Sequence, residues 1–219
     1  MHCHILPGVD DGARDMDESL AMSDAAVAAG VTSIVCTPHC REPYFDYGAM
    51  REAFERFRDE VSRRHLGLGV SMGFEVNYRT LEDIGFSWAG RLGFSDSPEF
   101  LLELSTRAGK SQFAEYERGI FKLQSLGYEV VIAHPERYCA VQDDIDIACD
   151  LVDMGCKLQA SADFIAGGRL GTSKKPAKRL FKEGLYSYIA SDAHDAGHYQ
   201  LLAKALKKYG GMLEGQEER

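Results

Sequence analysis

The chain has 219 residues, 45% apolar and 27% charged, with a formal net charge of −9. That describes one globular domain, 1–219, with a sizeable core, and the acidic excess argues against a nucleic-acid partner, since no basic surplus exists to displace backbone counterions. No apolar run approaches a membrane span and no secretory signal opens the chain, so a cytoplasmic protein without membrane insertion is expected, its six cysteines (Cys3, Cys36, Cys40, Cys139, Cys149, Cys156) reduced and mostly packing.

In chain order, the spacing predicts a helix over 16–29, capped by Asp15 and stopped by Gly30. A buried strand follows at 32–37 (TSIVCT), then a helix over 47–64, and 68–73 leads toward the next strand end. Residues 100–104 form a short apolar run. Helical spacing through Phe113, Tyr116, Ile120 and Leu123 marks 112–126, stopped by Gly127. A strand is expected at 129–133 (EVVIA), and Ile145, Cys149 and Val152 line one face of a helix ending at Gly155. A strand at 157–160, a helix closing over 178–183, a strand at 185–190 (LYSYIA) and a helix over 199–209 complete the series. Alternating strands and helices imply a mainly parallel sheet, because parallel neighbours need a crossover. Roughly seven such units fit a barrel better than two sheets, with an open doubly wound sheet as the competing reading.

The functional signal lies where histidines and carboxylates fall. His2 and His4 form H-x-H, which on a strand puts both imidazoles on one face. Asp10 and Asp11 lie in the next loop, His39 ends TSIVCTPH, Glu75 ends VSMGFE and Glu103 follows FLL. His134 ends EVVIAH, and Asp192 and His194 form D-x-H after SYIAS. In parallel α/β folds the carboxyl ends of strands converge on one face, so these residues are expected to meet. Imidazole with carboxylate suits zinc, manganese or iron rather than copper(I). His65, after Arg63 and Arg64, reads as an exposed helix-end histidine, and His198 lies outside the core of the pattern. Asp15, Asp17 and Glu18, and likewise Asp143, Asp144 and Asp146, read as favourable charge at helix starts. The chain has no Cys-x5-Arg loop, no G-x-S-x-G elbow and no G-x4-G-K-[ST] phosphate loop, which leaves metal-assisted hydrolysis as the economical chemistry.

The motifs HCHILPGVDDGA, TPH, GFEVNY, LLELS, IAHPERY and ASDAH span nearly the whole chain. Together they resemble the polymerase and histidinol phosphatase (PHP) family, and within it the CpsB/CapC branch of manganese-dependent bacterial protein-tyrosine phosphatases of capsule and exopolysaccharide synthesis. HILPGVDDGA and AHPERY are the most branch-specific pieces. The resemblance implies a distorted (β/α)7 TIM-like barrel of the PHP type with a trinuclear metal site. By motif, His2, His4, Glu75 and Asp192 would hold a first ion. Glu75 would bridge to a second, completed by Glu103 and His134, and Asp11, His39 and His194 would hold the third. Carboxylates at Glu103 and Asp11 favour harder ions such as Mn²⁺, with Fe or Zn as substitutes.

Four carboxylates against three divalent ions leave two positive charges to attract a phosphate dianion, and a metal-bound hydroxide can attack phosphorus in line. Arg137 is the candidate phosphate clamp, because its planar fork can bind two oxygens, with a salt bridge as the plainer reading. The implied substrate is a phosphotyrosine protein, the tail of a bacterial tyrosine kinase, with the oligomeric state left open.

Two features depart from the family pattern. Met1 adjoins His2 directly where the family usually begins Met-x-Asp-x-His-x-His, so weaker occupancy of the first ion is expected. After ASDAH, where the branch commonly places a phosphate-binding arginine followed by proline, this chain reads DAGHYQ. His198 is the candidate in that place, a weaker and pH-dependent donor. Three alternatives are carried: a histidinol-phosphate or other small-molecule phosphatase, a nuclease or polymerase-associated module, and a degenerate, non-catalytic PHP domain. The polar end EGQEER is expected to fray.

Overall fold

A computed structural model describes residues 1–64, 67–168 and 171–213, so the expectations for His65 and for the EGQEER end lie outside the described residues. The elements run α1 (Met16–Ala28), β1 (Ser33–Cys36), β2 (His39–Cys40), α2 (Tyr47–Arg64), β3 (Gly69–Met72) and β4 (Glu75–Asn77). Next come α3 (Tyr78–Ile84), α4 (Ala89–Leu92), β5 (Glu99–Glu103), α5 (Phe113–Ser125), β6 (Glu129–Ala133), α6 (Cys139–Asp143) and α7 (Asp146–Asp153). β7 (Lys157–Ser161), α8 (Lys174–Lys182), β8 (Tyr188–Ala190) and α9 (His198–Tyr209) follow. No helix among the described residues is long and apolar enough to cross a membrane.

The expected helices and strands are present with small shifts. Asp15 caps α1, its carboxylate accepting from the Glu18 amide. The last strand is shorter than the apolar run suggests, beginning at Tyr188, and Asp143 closes α6 instead of opening a helix. α3, α4 and α6 are too short to show a helical period.

Every strand pairing among the described residues is parallel. β2, β4, β5, β6, β7 and β8 form one curled sheet in that order, and β1 pairs with β3. β1 and β2 are two pieces of one run broken at Thr37–Pro38, and β3 and β4 two pieces broken at Gly73–Phe74. Residues 2–4 join the β8 end of the sheet to β1. The His4 amide donates to Ala193 O, Asp192 N to His2 O, and Thr37 N to Cys3 O. Cys3 makes only an isolated bridge, to Ala193. Gly12 holds the loop beyond: a Cβ there would meet His4 O at 1.9 Å, so only glycine fits.

Strand alternation divides the side chains between two environments. Phe100, Leu102, Val130, Ile132, Leu158 and Ala160 point into the main core shared with the helices. Leu101, Val131 and Ala133 point the other way, into a small second cluster with Phe94, packed by Met1, Val35 and Tyr188. Continuing that second parity toward the carboxyl ends gives Glu103 on β5, Gln159 and Ser161 on β7, and Asp192 beyond β8. Geometry thus sends the polar strand-end residues to one place. Among the described cysteines none is paired, and Cys3, Cys36, Cys40 and Cys156 are buried while Cys139 is exposed.

Candidate metal centre

A cavity of about 570 Å³ opens at the carboxyl ends of the strands. Asp11, His39, Glu75, Glu103, His134, Asp192 and His194 line it, together with Arg137 and His198. His2 and His4 lie beneath, both at 0% exposure. The structure therefore brings every sequence-predicted site residue to one locus.

Glu75 is the centre of the arrangement. Its Oε1 lies 2.7 Å from His134 Nε2 and 3.5 Å from His2 Nε2, and its Oε2 lies 2.6 Å from His39 Nδ1 and 3.5 Å from His4 Nε2. Asp192 Oδ1 is 3.3 Å from Nε2 of both His2 and His4. Asp11 Oδ1 lies 3.2 Å from His39 Nε2 and 3.3 Å from His194 Nε2. Glu103 stands at the edge, 4.0 Å from His134. Four groupings have donor atoms mutually within 4.8 Å: His4–Asp11–His39–His194, His2–His4–Glu75, His39–Glu75–Glu103 and His2–His134–Asp192. They overlap the motif-based partition but share His2, His4, His39 and Glu75 between neighbouring sets, and group His134 with His2 and Asp192.

The residues fit divalent cations, and the tautomers show why. His4 Nδ1 donates to Asp10 Oδ2 at 2.8 Å, which leaves Nε2 as a bare lone pair. His2 Nδ1 likewise donates to Gln159 Oε1 at 2.6 Å. The two Nε2 atoms face each other at 3.4 Å, both also facing the oxygens of Glu75 and Asp192. Lone pairs turned on lone pairs and carboxylates repel unless a proton or a cation stands between them. His39 Nδ1, Glu75 Oε2 and His134 Nδ1 are buried without an aligned hydrogen bond among the described residues. Backbone strain marks the same place: His2, His134 and Asp192 are the non-glycine residues with left-handed φ (71°, 35° and 46°) among those described.

In the protein alone, protons take the cations' place. Burial disfavours charge on His2, but Asp192 and Glu75 outweigh it and push its pKa up to about 9. Glu75 and Asp11 likewise overcome burial at His39 and raise it to about 10. Burial opposes ionisation of Glu75 as well, yet His2 and His39 hold it well below the usual carboxylate range. Arg137, then His2, do the same for Asp192.

Residues that sequence reasoning passed over support these groups. Asp10, set aside in favour of Asp11, receives His4 and the amides of His39 and Gly12. Glu136 lies buried under the site, where burial raises its pKa, and accepts from the Ser161 amide and the Tyr186 hydroxyl, both at 2.8 Å. Tyr138 donates to Ala133 O and accepts from Leu104 N. The ERY of IAHPERY is thus a brace tying β5, β6 and β7 beneath the cavity. Arg137 Nη2 contacts Asp192 at 2.5 Å, Ser161 at 2.9 Å and Asp163 at 3.0 Å, so it is ion-paired as well as cavity-lining. His198 Nδ1 accepts the His194 amide at 2.9 Å, which pins the D-x-H loop and leaves Nε2 as its other ring nitrogen. Arg41, two residues after His39, also lines the cavity, and an H-x-R reading would have found it.

Comparison with known proteins agrees with this geometry. Residues 1–209 match the family model "Capsular polysaccharide synthesis, CpsB/CapC". The chain is 31% identical over 198 residues to the tyrosine-protein phosphatase YwqE of Bacillus subtilis, covering 89% of this chain and 76% of that one. It is 29% identical to the tyrosine-protein phosphatase CpsB of Streptococcus pneumoniae, covering 96% and 90%. A solved structure from work on YwqE and CpsB as unique metal-dependent tyrosine phosphatases superposes with a TM-score of 0.81 at 32% identity, covering 96% of this chain and 86% of that one. The chain belongs to the CpsB/CapC family.

Proposed function

We propose that this member of the CpsB/CapC family is a metal-dependent protein-tyrosine phosphatase acting in capsule or exopolysaccharide synthesis. The curled sheet is read as the distorted (β/α)7 barrel of PHP proteins, with residues 2–4 standing in for its first strand. The observation that carries the reading is the convergence of nine imidazole and carboxylate side chains, with Nε2 of His2 and His4 turned toward one another and toward Glu75 and Asp192.

In the proposed assignment His2, His4, Glu75 and Asp192 hold one ion, Glu75 with Glu103 and His134 a second, and Asp11, His39 and His194 a third. Mn²⁺ is the expected ion, with Fe or Zn as substitutes. When bound, such ions supply Lewis acidity toward a phosphoryl oxygen and water at neutral pH. The first set rests on residues 2–4, which backbone hydrogen bonds tie to Asp192, Ala193 and Thr37. Asp10 and Gln159 orient the two buried imidazoles, a role that outer-shell partners commonly play. Arg137 keeps Asp192 ionised and placed, and its guanidinium faces the cavity where a phosphate would lie. His198 holds the D-x-H loop through Nδ1 and offers Nε2 to the substrate side. The substrate is a phosphotyrosine protein, proposed to be a bacterial tyrosine kinase tail, in a cytoplasmic setting.

The test is phosphate release from a phosphotyrosyl peptide and from histidinol phosphate, with added Mn²⁺ and after chelation. Peptide turnover that needs the metal supports the assignment. Turnover of histidinol phosphate alone makes the protein a small-molecule phosphatase. No turnover by metal-loaded protein identifies a non-catalytic domain.

A further inference from the structure

Two guanidinium groups line the cavity, and they are held differently. Arg137 is balanced by two carboxylates, Asp192 at 2.5 Å and Asp163 at 3.0 Å. Arg41, just after β2, has a side chain 30% exposed and, among the described residues, only distant carboxylates. Its Nη1 lies 3.4 Å from both oxygens of Glu103, and its Nη2 lies 3.8 Å from Asp11 Oδ2. All three distances exceed the 2.7–3.2 Å of a good N–H···O bond. Among the described residues its closest polar contact is Nη2 to His39 Nε2 at 2.8 Å, a donation that a neutral ring nitrogen can accept and a protonated one cannot.

All of these partners are residues assigned above to cations. With cations held by His39, Asp11 and Glu103, the His39 lone pair would be taken and the charge of both carboxylates partly neutralised, so all of Arg41's acceptors would be weakened. The guanidinium lies at the cavity wall, its carbon 6.0 Å from the Tyr44 ring centroid. In the same chain the loop after D-x-H carries no arginine, and His198 Nδ1 is already occupied by the His194 amide.

We propose that Arg41 is a substrate-binding residue whose fork grips the non-bridging oxygens of a phosphomonoester dianion, supplying the cation that the D-x-H loop lacks. The inference rests on the phosphatase reading and adds a residue to it. Planarity matters here, because two parallel N–H groups match two phosphate oxygens in a way an ammonium cannot.

The experiment compares wild type, Arg41→Ala and Arg41→Lys as Mn²⁺-loaded full chains. Three quantities are read: metal content, binding of inorganic phosphate by calorimetry, and KM and kcat for p-nitrophenyl phosphate. Charge-assisted hydrogen bonds of this kind set the expected scale, a tenfold to hundredfold weakening on their loss. Arg41→Ala is expected to weaken phosphate binding and raise KM by about that factor at unchanged metal content. Arg41→Lys is expected to recover only part. Unchanged phosphate binding in Arg41→Ala overturns the proposal, as does a loss of metal that accounts for the whole effect. If wild type turns over no phosphomonoester, the phosphatase reading fails, and calorimetric phosphate binding still decides for or against Arg41.

Discussion

The inward faces of the same strands end in two different environments. Leu101, Val131 and Ala133 pack with Phe94 in a small apolar cluster. A few residues along the same parity, Glu103, Gln159, Ser161 and Asp192 stand among buried imidazoles. The apolar plug holds itself together by dispersion and exclusion of water and needs nothing from outside. The polar end is folded around charges that satisfy one another only in part. One curled sheet therefore supplies a rigid base and, on top of it, a cluster of imidazoles and carboxylates of the kind that can hold a cation.

The strongest way to break this contrast is at Glu75, which faces four histidines. Glu75→Ala is expected to lower phosphate release by about a hundred- to a thousandfold, in the range seen when a central electrostatic group is lost. Metal content should fall with it, while the urea midpoint with EDTA moves far less. Leu101→Ala, fully buried in the plug, should show the converse. A loss of about 2–5 kcal/mol of stability is expected from cavity creation, read by urea unfolding, with metal content per folded chain unchanged.

Smaller effects sharpen the comparison. Asp10→Asn and Gln159→Leu remove partners that fix the tautomers of His4 and His2. Each should weaken Mn²⁺ binding by about ten- to a hundredfold in a titration followed by calorimetry. The pH dependence should differ between the two forms of the protein. His2 and His39, at about 9 and about 10 when folded without metal, lie above their unfolded value of roughly 6.5. Their contribution to stability is full below that value and disappears as pH rises through about 9 and about 10. The metal-free protein should therefore melt at progressively lower temperature above roughly pH 6.5. Metal binding displaces those protons, so apparent Mn²⁺ affinity should climb over the same interval. Melting curves with and without Mn²⁺ across pH 6–10 check both trends.

Much of the polar end is legible in the sequence, because H-x-H, D-x-H and the residues ending TSIVCTPH, VSMGFE and EVVIAH sit where parallel strands discharge their side chains. What is not legible has physical reasons. Residues 2–4 join the two ends of the strand set through backbone bonds that leave no alternating pattern. α3, α4 and α6 are shorter than the window in which a helical period emerges. Gln159, Ser161 and Glu136 act by hydrogen bonds across the fold, which no local spacing records. Arg137 drew notice as a phosphate clamp or a salt-bridge residue, but its partner, Asp192, lies 55 positions away and leaves no local mark.

The central claim is that the nine converging side chains hold divalent cations. The most direct measurement is an anomalous difference map from a crystal of the Mn²⁺-loaded protein. Three peaks are predicted, one among His2, His4, Glu75 and Asp192, one among Glu75, Glu103 and His134, and one among Asp11, His39 and His194. Manganese found only elsewhere on the surface, or an ordered cluster without any peak, would contradict the account.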